Sequence, residues 1–256
     1  MFTRRTFTTS LATAAAASLF SRASKAQSSP HVRNVVLVHG AYADGSSWSE
    51  VIARLQAVGL RATAVQNPLS SLSDDVAATR RILQLQDGPT VLVGHSFAGT
   101  IISETGVDPK VASLVYVAAR APDAGEDYPA LAAKFPRPPA SDGLVTAGGF
   151  AQLNEETFLK YFAGDVDPVK ARILYAVQGR VSATLFAERT TVAAWKIKPS
   201  WYQVSKDDKT ISPELQRFMA NRMKAKTIEL ASSHVSLISH PREIADLIID
   251  AASTSC

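Results

Sequence analysis

Ser96 lies in Gly94-His95-Ser96-Phe97-Ala98-Gly99, between the apolar run Thr90-Val91-Leu92-Val93 and a stretch of helical character from Phe97 to about Thr105. A serine on so tight a strand-to-helix turn is pushed out above the carboxyl edge of a sheet, and the new helix aims its free N–H groups at the reacting centre. Such a nucleophile elbow suits attack on an acyl carbon. The motif departs from Gly-x-Ser-x-Gly by carrying Ala98 where the second glycine is usual, with Gly99 one place later.

A serine hydroxyl is a poor nucleophile at neutral pH, so the reading requires a histidine base, and that histidine must be held by a carboxylate. Of the five histidines, His31 stands ahead of the first strand, and His39 and His95 sit inside motifs where they read as packing or backbone-organising residues. His234, in Ser232-Ser233-His234 after the last strand, is the expected base, with His240, next to the closing helix, as the fallback. The acid should follow the preceding strand, Trp201-Tyr202-Gln203-Val204, where Asp207 and Asp208 adjoin. Two adjacent aspartates cannot both point at one imidazole. Asp208, with Ile211 and Pro213 beyond it, has the better spacing to the next helix and is preferred over Asp207. The chain order serine, acid, histidine is the one expected when this chemistry is built on a parallel sheet. A tetrahedral oxyanion needs two aimed donors. The N–H of Phe97 is one; Ala41 N–H, on the loop His39-Gly40-Ala41-Tyr42 after the first strand, is the other, with Tyr42 as the alternative.

Elements with the right periodicity surround these residues. Val35-Val36-Leu37-Val38, Arg61–Val65, Thr90–Val93, Val111–Ala119, Trp201–Val204 and Thr227–Leu230 read as strands, several apolar throughout as a doubly covered parallel sheet requires. Helical stretches fall between them at Ser49–Val58, Asp74–Gln86, Pro213–Arg222 and Pro241–Ala251. The expectation is an α/β fold with a mostly parallel central sheet flanked by helices. From 122 to 198 the pattern changes. Prolines and glycines break the first half, and amphipathic pieces at Asn154–Phe162, Pro168–Val177 and Ser182–Trp195 predict helices in the second, which together read as an inserted helical cap.

The whole chain has 256 residues, 46% hydrophobic and 20% charged, with one cysteine, which excludes disorder, collagen and a disulfide scaffold. Its formal charge of +4 comes from Arg4, Arg5, Arg22 and Lys25 near the amino terminus; without them 23 basic face 23 acidic side chains, so no nucleic-acid partner is implied. Residues 1–26, with Thr3-Arg4-Arg5-Thr6-Phe7, an alanine-rich stretch from Leu11 to Phe20 and Ser24-Lys25-Ala26, resemble a twin-arginine export signal. That implies recognition by the twin-arginine export machinery, cleavage after about Ala26, and a mature domain over 27–256 that is periplasmic or secreted. Neither the stretch from Leu11 to Phe20, too short and too alanine-rich, nor any other in the sequence has the run of apolar residues a membrane span needs. Cys256, the last residue, can form no internal disulfide.

His39-Gly40-Ala41, the Ser96 elbow, Asp208 and His234, in that order with an insert between the fourth and fifth strands, resemble the α/β-hydrolase superfamily over 33–251. The segment His39-Gly40-Ala41-Tyr42-Ala43-Asp44-Gly45-Ser46-Ser47-Trp48 is similar to the small esterase-like branch that includes methyl esterases and hydroxynitrile lyases. The resemblance implies a Ser–His–Asp enzyme without metal or organic cofactor, in which water completes an acyl-enzyme cycle on a small to medium carboxylic ester. Tyr42, Phe97 and Trp195 are candidate aromatic walls of the substrate pocket. Arg120 ends the fourth strand at the same edge; a salt bridge to Asp123 or Glu126 is the first expectation for it, and a grip on a substrate anion the second. Glu104 reads as structural. The competing functions are a lyase or perhydrolase on the same triad, the former with Lys206 or Lys209 near the pocket, and a binding protein that keeps the fold without turnover.

Overall fold

A computed structural model describes residues 32–254. The export signal expected over 1–26 and Cys256 lie outside the described residues. Strand β1 (Asn34–Val38), β2 (Arg61–Val65), β3 (Thr90–His95) and β4 (Val111–Val117) alternate with helices α1 (Ser49–Ala57), α2 (Leu72–Gln84) and α3 (Ala98–Thr105). The segment that follows holds α4 (Tyr128–Ala132), β5 (Leu144–Ala147), β6 (Phe150–Leu153), α5 (Glu155–Thr157), α6 (Pro168–Ala176) and the short β7 (Val181–Ser182). Strand β8 (Ser200–Ser205), α7 (Pro213–Met223), β9 (Lys226–Leu230), α8 (Ser236–Ser239) and α9 (Pro241–Thr254) close the chain.

The main sheet has six strands in the order β2-β1-β3-β4-β8-β9, every pairing parallel. β1 and β3 are buried at every residue, whereas β2 and β9, at the two edges, carry exposed positions. That difference follows from covering by helices on both faces at the centre and solvent at the rims. From β1 the chain goes first to one side, β2, and then to the other, β3, so the sheet switches direction between β1 and β3. In open parallel sheets a crevice forms outside the carboxyl ends at such a switch point. Parallel pairing brings the ends of β1, β3, β4, β8 and β9 to one edge, with Val38 level with Gly94 and His95 level with Val117.

Between β4 and β8 two local expectations fail. The glycines expected to act as breakers make a hairpin instead: Gly148 and Gly149, at φ 57° and 81°, form the two-residue turn between β5 and β6, and β7 pairs with β6 to complete a second, antiparallel sheet. Two successive left-handed residues match the twist of a hairpin, which is why Gly-Gly closes one so readily. The helix expected over Ser182–Trp195 does not form. Only single turns of 3₁₀ helix occur there, at Leu185–Ala187 and Ala194–Lys196. Its backbone is recruited elsewhere: Glu104 accepts the N–H groups of Thr191 and Val192 at 2.7 and 3.3 Å, and Thr190 accepts from Gly125 N–H at 2.7 Å. A helix would have to give up those partners.

Candidate active site

Ser96 follows directly on the apolar part of β3 and has φ 55°, the left-handed region that costs a non-glycine residue about 1–2 kcal/mol. The turn is held from three sides. Ser96 N–H donates to the Val117 carbonyl at 3.1 Å, and its own carbonyl accepts from Gly99 N–H at 3.1 Å and Arg120 N–H at 2.9 Å. Ala98 is fully buried and tolerated, but a Cβ at Gly99 would lie 1.8 Å from the Arg120 carbonyl oxygen. The glycine has thus moved one place along because that is where the elbow meets the end of β4.

His234 Nε2 is 2.7 Å from Ser96 Oγ, and His234 Nδ1 is 2.7 Å from Asp208 Oδ2. With Asp208 ionised, Nδ1 carries the proton and Nε2 is left with its lone pair toward the serine. Both side chains are wholly buried, which strengthens each hydrogen bond by excluding water. Asp208 is anchored in turn. Oδ1 accepts from Thr210 N–H at 2.7 Å and Ile211 N–H at 3.0 Å, and Oδ2 accepts from Gln216 Nε2 at 2.7 Å. Asp207 is exposed and His240 bonds the Ala231 carbonyl at 3.1 Å, so neither alternative takes part in the triad contacts.

Gln216 escapes sequence reasoning. Besides Asp208 it bonds Ser205 N–H at 3.0 Å and the Ile211 carbonyl at 3.0 Å, bracing both sides of the acid loop from α7. Its place early in the helix after the acid loop was the available signal. The base is braced similarly. Ser233 N–H donates to Asp165 at 3.0 Å and its hydroxyl to the same carboxylate, while His95 Nε2–H donates to the His234 carbonyl at 3.0 Å. Burial first, and then the neighbouring His234, hold His95 well below the usual histidine range, so it stays neutral beside the base. His39 is lowered by burial too; its Nδ1–H donates to the Gly40 carbonyl at 2.9 Å and its Nε2 accepts Asn67 N–H at 2.9 Å. Both have the backbone-organising character expected of them.

The first loop abuts Ser96 because Gly40 has no side chain: a Cβ there would be 2.7 Å from the Ser96 Cβ. Tyr42, at φ 61°, turns the chain away behind it. Ala41 and Phe97 line one cavity of about 170 Å³ together with Ser96. Among the described residues their N–H groups have no protein partner, as oxyanion donors require. Tyr42 and Phe97 wall the same cavity, joined by Phe186, with ring centroids 6.1 and 5.6 Å from it respectively.

Trp195 is corrected: it does not line the cavity but lies buried, its indole N–H donating to the Pro122 carbonyl at 2.8 Å and its ring under Arg222 at 5.4 Å. The salt bridge expected of Arg120 is also corrected. Asp123 pairs with Lys196 at 2.6 Å and Glu126 with Arg222 at 2.7 Å, leaving Arg120 on the cavity wall. Lys206 and Lys209 are exposed and outside it. Glu104 is structural as expected, clamping Thr191 and Val192 onto α3. Among the described residues no cluster of His, Cys, Asp and Glu is placed to hold a metal ion.

The chain has relatives of known kind. The model of the alpha/beta hydrolase family matches residues 35–247. The chain is similar to Methylesterase 2 of Arabidopsis thaliana, 26% identical over 88% of this chain and 97% of that one, and to Esterase PIR7B of Oryza sativa subsp. japonica, 27% identical over 88% and 98%. In fold it is similar to a pyrethroid hydrolase from Sphingobium faniae JZ-2, with a TM-score of 0.72 at 23% identity over 87% of this chain and 98% of that one. Matched along nearly the full length of proteins named as esterases, with its family pattern spanning the sheet and both ends of the site, the chain is an enzyme of the alpha/beta hydrolase family.

Proposed function

We propose that the chain hydrolyses small to medium carboxylic esters through an acyl-enzyme on Ser96. The observation that carries this is the unbroken relay of two 2.7 Å contacts from Ser96 Oγ through His234 to Asp208, opening onto a cavity lined by the Ala41 and Phe97 loops. As Ser96 Oγ attacks the carbonyl carbon, its proton passes to His234 Nε2, and the imidazolium is stabilised by Asp208, which stays ionised. The carbonyl oxygen gains the electron pair and is met by the N–H groups of Ala41 and Phe97. When the tetrahedral centre collapses, the C–O bond to the alcohol breaks and His234 Nε2–H protonates the departing oxygen. A water, deprotonated by the same nitrogen, then cleaves the acyl-Ser96 ester and restores the serine. The esterase names among the relatives support the ester as the bond attacked.

Export belongs to this reading as well, on the paired arginines and apolar stretch of residues 1–26 alone; expression with Arg4 and Arg5 changed to Lys, followed by fractionation, tests it. The cap over 122–198 would then close the cavity as one unit of the exported domain.

The test of the activity is intact-mass analysis after reaction with a small fluorophosphonate, with turnover of short and medium p-nitrophenyl esters measured alongside. One adduct, mapped to Ser96 and absent from Ser96→Ala, together with turnover, is the expected result. An adduct without ester turnover would shift the function to other chemistry on the triad, and no adduct would mean that Ser96 is not activated.

A further inference from the structure

Arg120 brings a positive charge to the cavity wall and forms no salt bridge with an acid among the described residues. It is the one charged side chain among the described residues that line the Ser96 cavity. Its guanidinium carbon lies 4.3 Å from the ring centre of Tyr128, 4.6 Å from Phe186 and 5.5 Å from Phe97. Among the described residues the guanidinium makes one hydrogen bond, and it is long, 3.4 Å from Nη1 to the Phe186 carbonyl. The nearest acids in sequence, Asp123 and Glu126, are committed to Lys196 and Arg222. Aromatic faces stabilise a cation but accept none of its N–H groups along their fork directions. Arg120 therefore meets the cavity with donors in hand, its guanidinium packed among three aromatic rings.

A guanidinium so held is preorganised for one planar anion with two oxygens. Its main chain is tied to that of Ser96 through Arg120 N–H and the Ser96 carbonyl at 2.9 Å, so the side chain starts from a point fixed next to the serine. Thr210 adds a hydroxyl to the same wall that has no partner among the described residues. We infer that the ester cleaved at Ser96 carries a carboxylate, bound by Arg120, so that the preferred substrate is a half-ester of a small dicarboxylic acid or a small hydroxy acid acylated on its hydroxyl, with the carboxyl group free. This rests on the ester-hydrolase reading above and adds the substrate class to it.

The test compares the monomethyl and dimethyl esters of succinic, glutaric and adipic acid by pH-stat, in the wild type, Arg120→Gln and Arg120→Lys. The monoester of the best chain length should be favoured in kcat/KM by roughly 10-fold or more over its diester, the scale of a charge-assisted hydrogen-bond pair. Arg120→Gln should lower kcat/KM for the monoester far more than for the diester and so remove that preference, chiefly through KM; Arg120→Lys should keep part of it. Equal rates on both esters in the wild type, or equal losses on both in Arg120→Gln, would overturn the inference and leave Arg120 a structural residue. Calorimetry of Ser96→Ala with the monoester separates this from the ester reading, since it needs no turnover. Binding that vanishes in the Ser96→Ala/Arg120→Gln double variant upholds the anion site whatever bond is cleaved. Binding unchanged by the second substitution rejects that site even if the fluorophosphonate labels Ser96 and neutral esters turn over.

Discussion

A side chain on Gly99 and the carbonyl oxygen of Arg120 compete for one place: a Cβ at Gly99 would stand 1.8 Å from that oxygen. Backbone, not a flexible side-chain tip, fills the space, so the conflict is relieved only by separating the elbow from the end of β4. Gly99→Ala is expected to cost about 1–3 kcal/mol or more of stability, as overpacking does, and to lower turnover by displacing Ser96. Thermal unfolding and the rate of fluorophosphonate labelling measure the two effects. An unchanged melting temperature would show that β4 yields freely there.

Gly40 and Ser96 are related in the same way across the other wall, with a Cβ at Gly40 falling 2.7 Å from that of Ser96. Gly40→Ala should push the loop carrying Ala41 outward and impair the oxyanion site more than the fold. The loss of one aimed donor is worth about 10²–10³ in kcat. Steady-state kinetics on p-nitrophenyl acetate should show that fall with KM little changed.

Gln216 is the donor on Asp208 Oδ2, the same oxygen that faces His234. Gln216→Leu removes a hydrogen bond to a buried carboxylate, worth about 1.5–3 kcal/mol. The acid loop should loosen, with kcat falling roughly 10- to 100-fold. Asp207→Asn, at the exposed neighbour, should change kcat by less than about twofold. Comparable losses in the two variants would refute the assignment of Asp208 as the acid.

Asp75 gives stability an unusual dependence on pH. It is wholly buried at the start of α2, with Leu69 N–H on one oxygen at 2.8 Å, no partner for the other among the described residues, and burial raising its pKa to about 7. Between the ordinary carboxylate range near 4 and that value, the native state holds a proton that the unfolded chain has lost. Its contribution therefore falls as pH rises through this window, by about 1.4 kcal/mol per unit, and levels off above it. His39 and His95, both lowered, act in the opposite sense and cost stability only as pH drops below about 6.5. Asp75→Asn should accordingly raise the melting temperature at pH 8 and have little effect at pH 4. A rise of equal size at both would point to packing instead of ionisation.

Much of this enzyme is legible along the chain. The short, mostly apolar runs in β1, β3 and β4 fit strands covered on both faces, and alternation with helices makes those strands parallel. Parallel strands deliver their carboxyl ends to one edge, so Ser96, Asp208 and His234, each just after a strand, had to meet there. These properties depend on residues close in sequence. The segment between β4 and β8 is different, because its backbone partners come from far away. Glu104 on α3 takes the N–H groups that a helix at Thr191 would have used, and no local pattern at Ser182–Trp195 reveals it. Trp195 and Arg120 exchange expectations for the same reason. Which base pairs with Asp123 and Glu126 depends on Lys196 and Arg222 arriving from far along the chain, and once they arrive Trp195 is enclosed and Arg120 is left facing the cavity. Local periodicity determined the sheet and the chain order of Ser96, Asp208 and His234; the competition among distant partners for a few buried donors and acceptors, decided only by the tertiary structure, determined what lines the cavity beside Ser96.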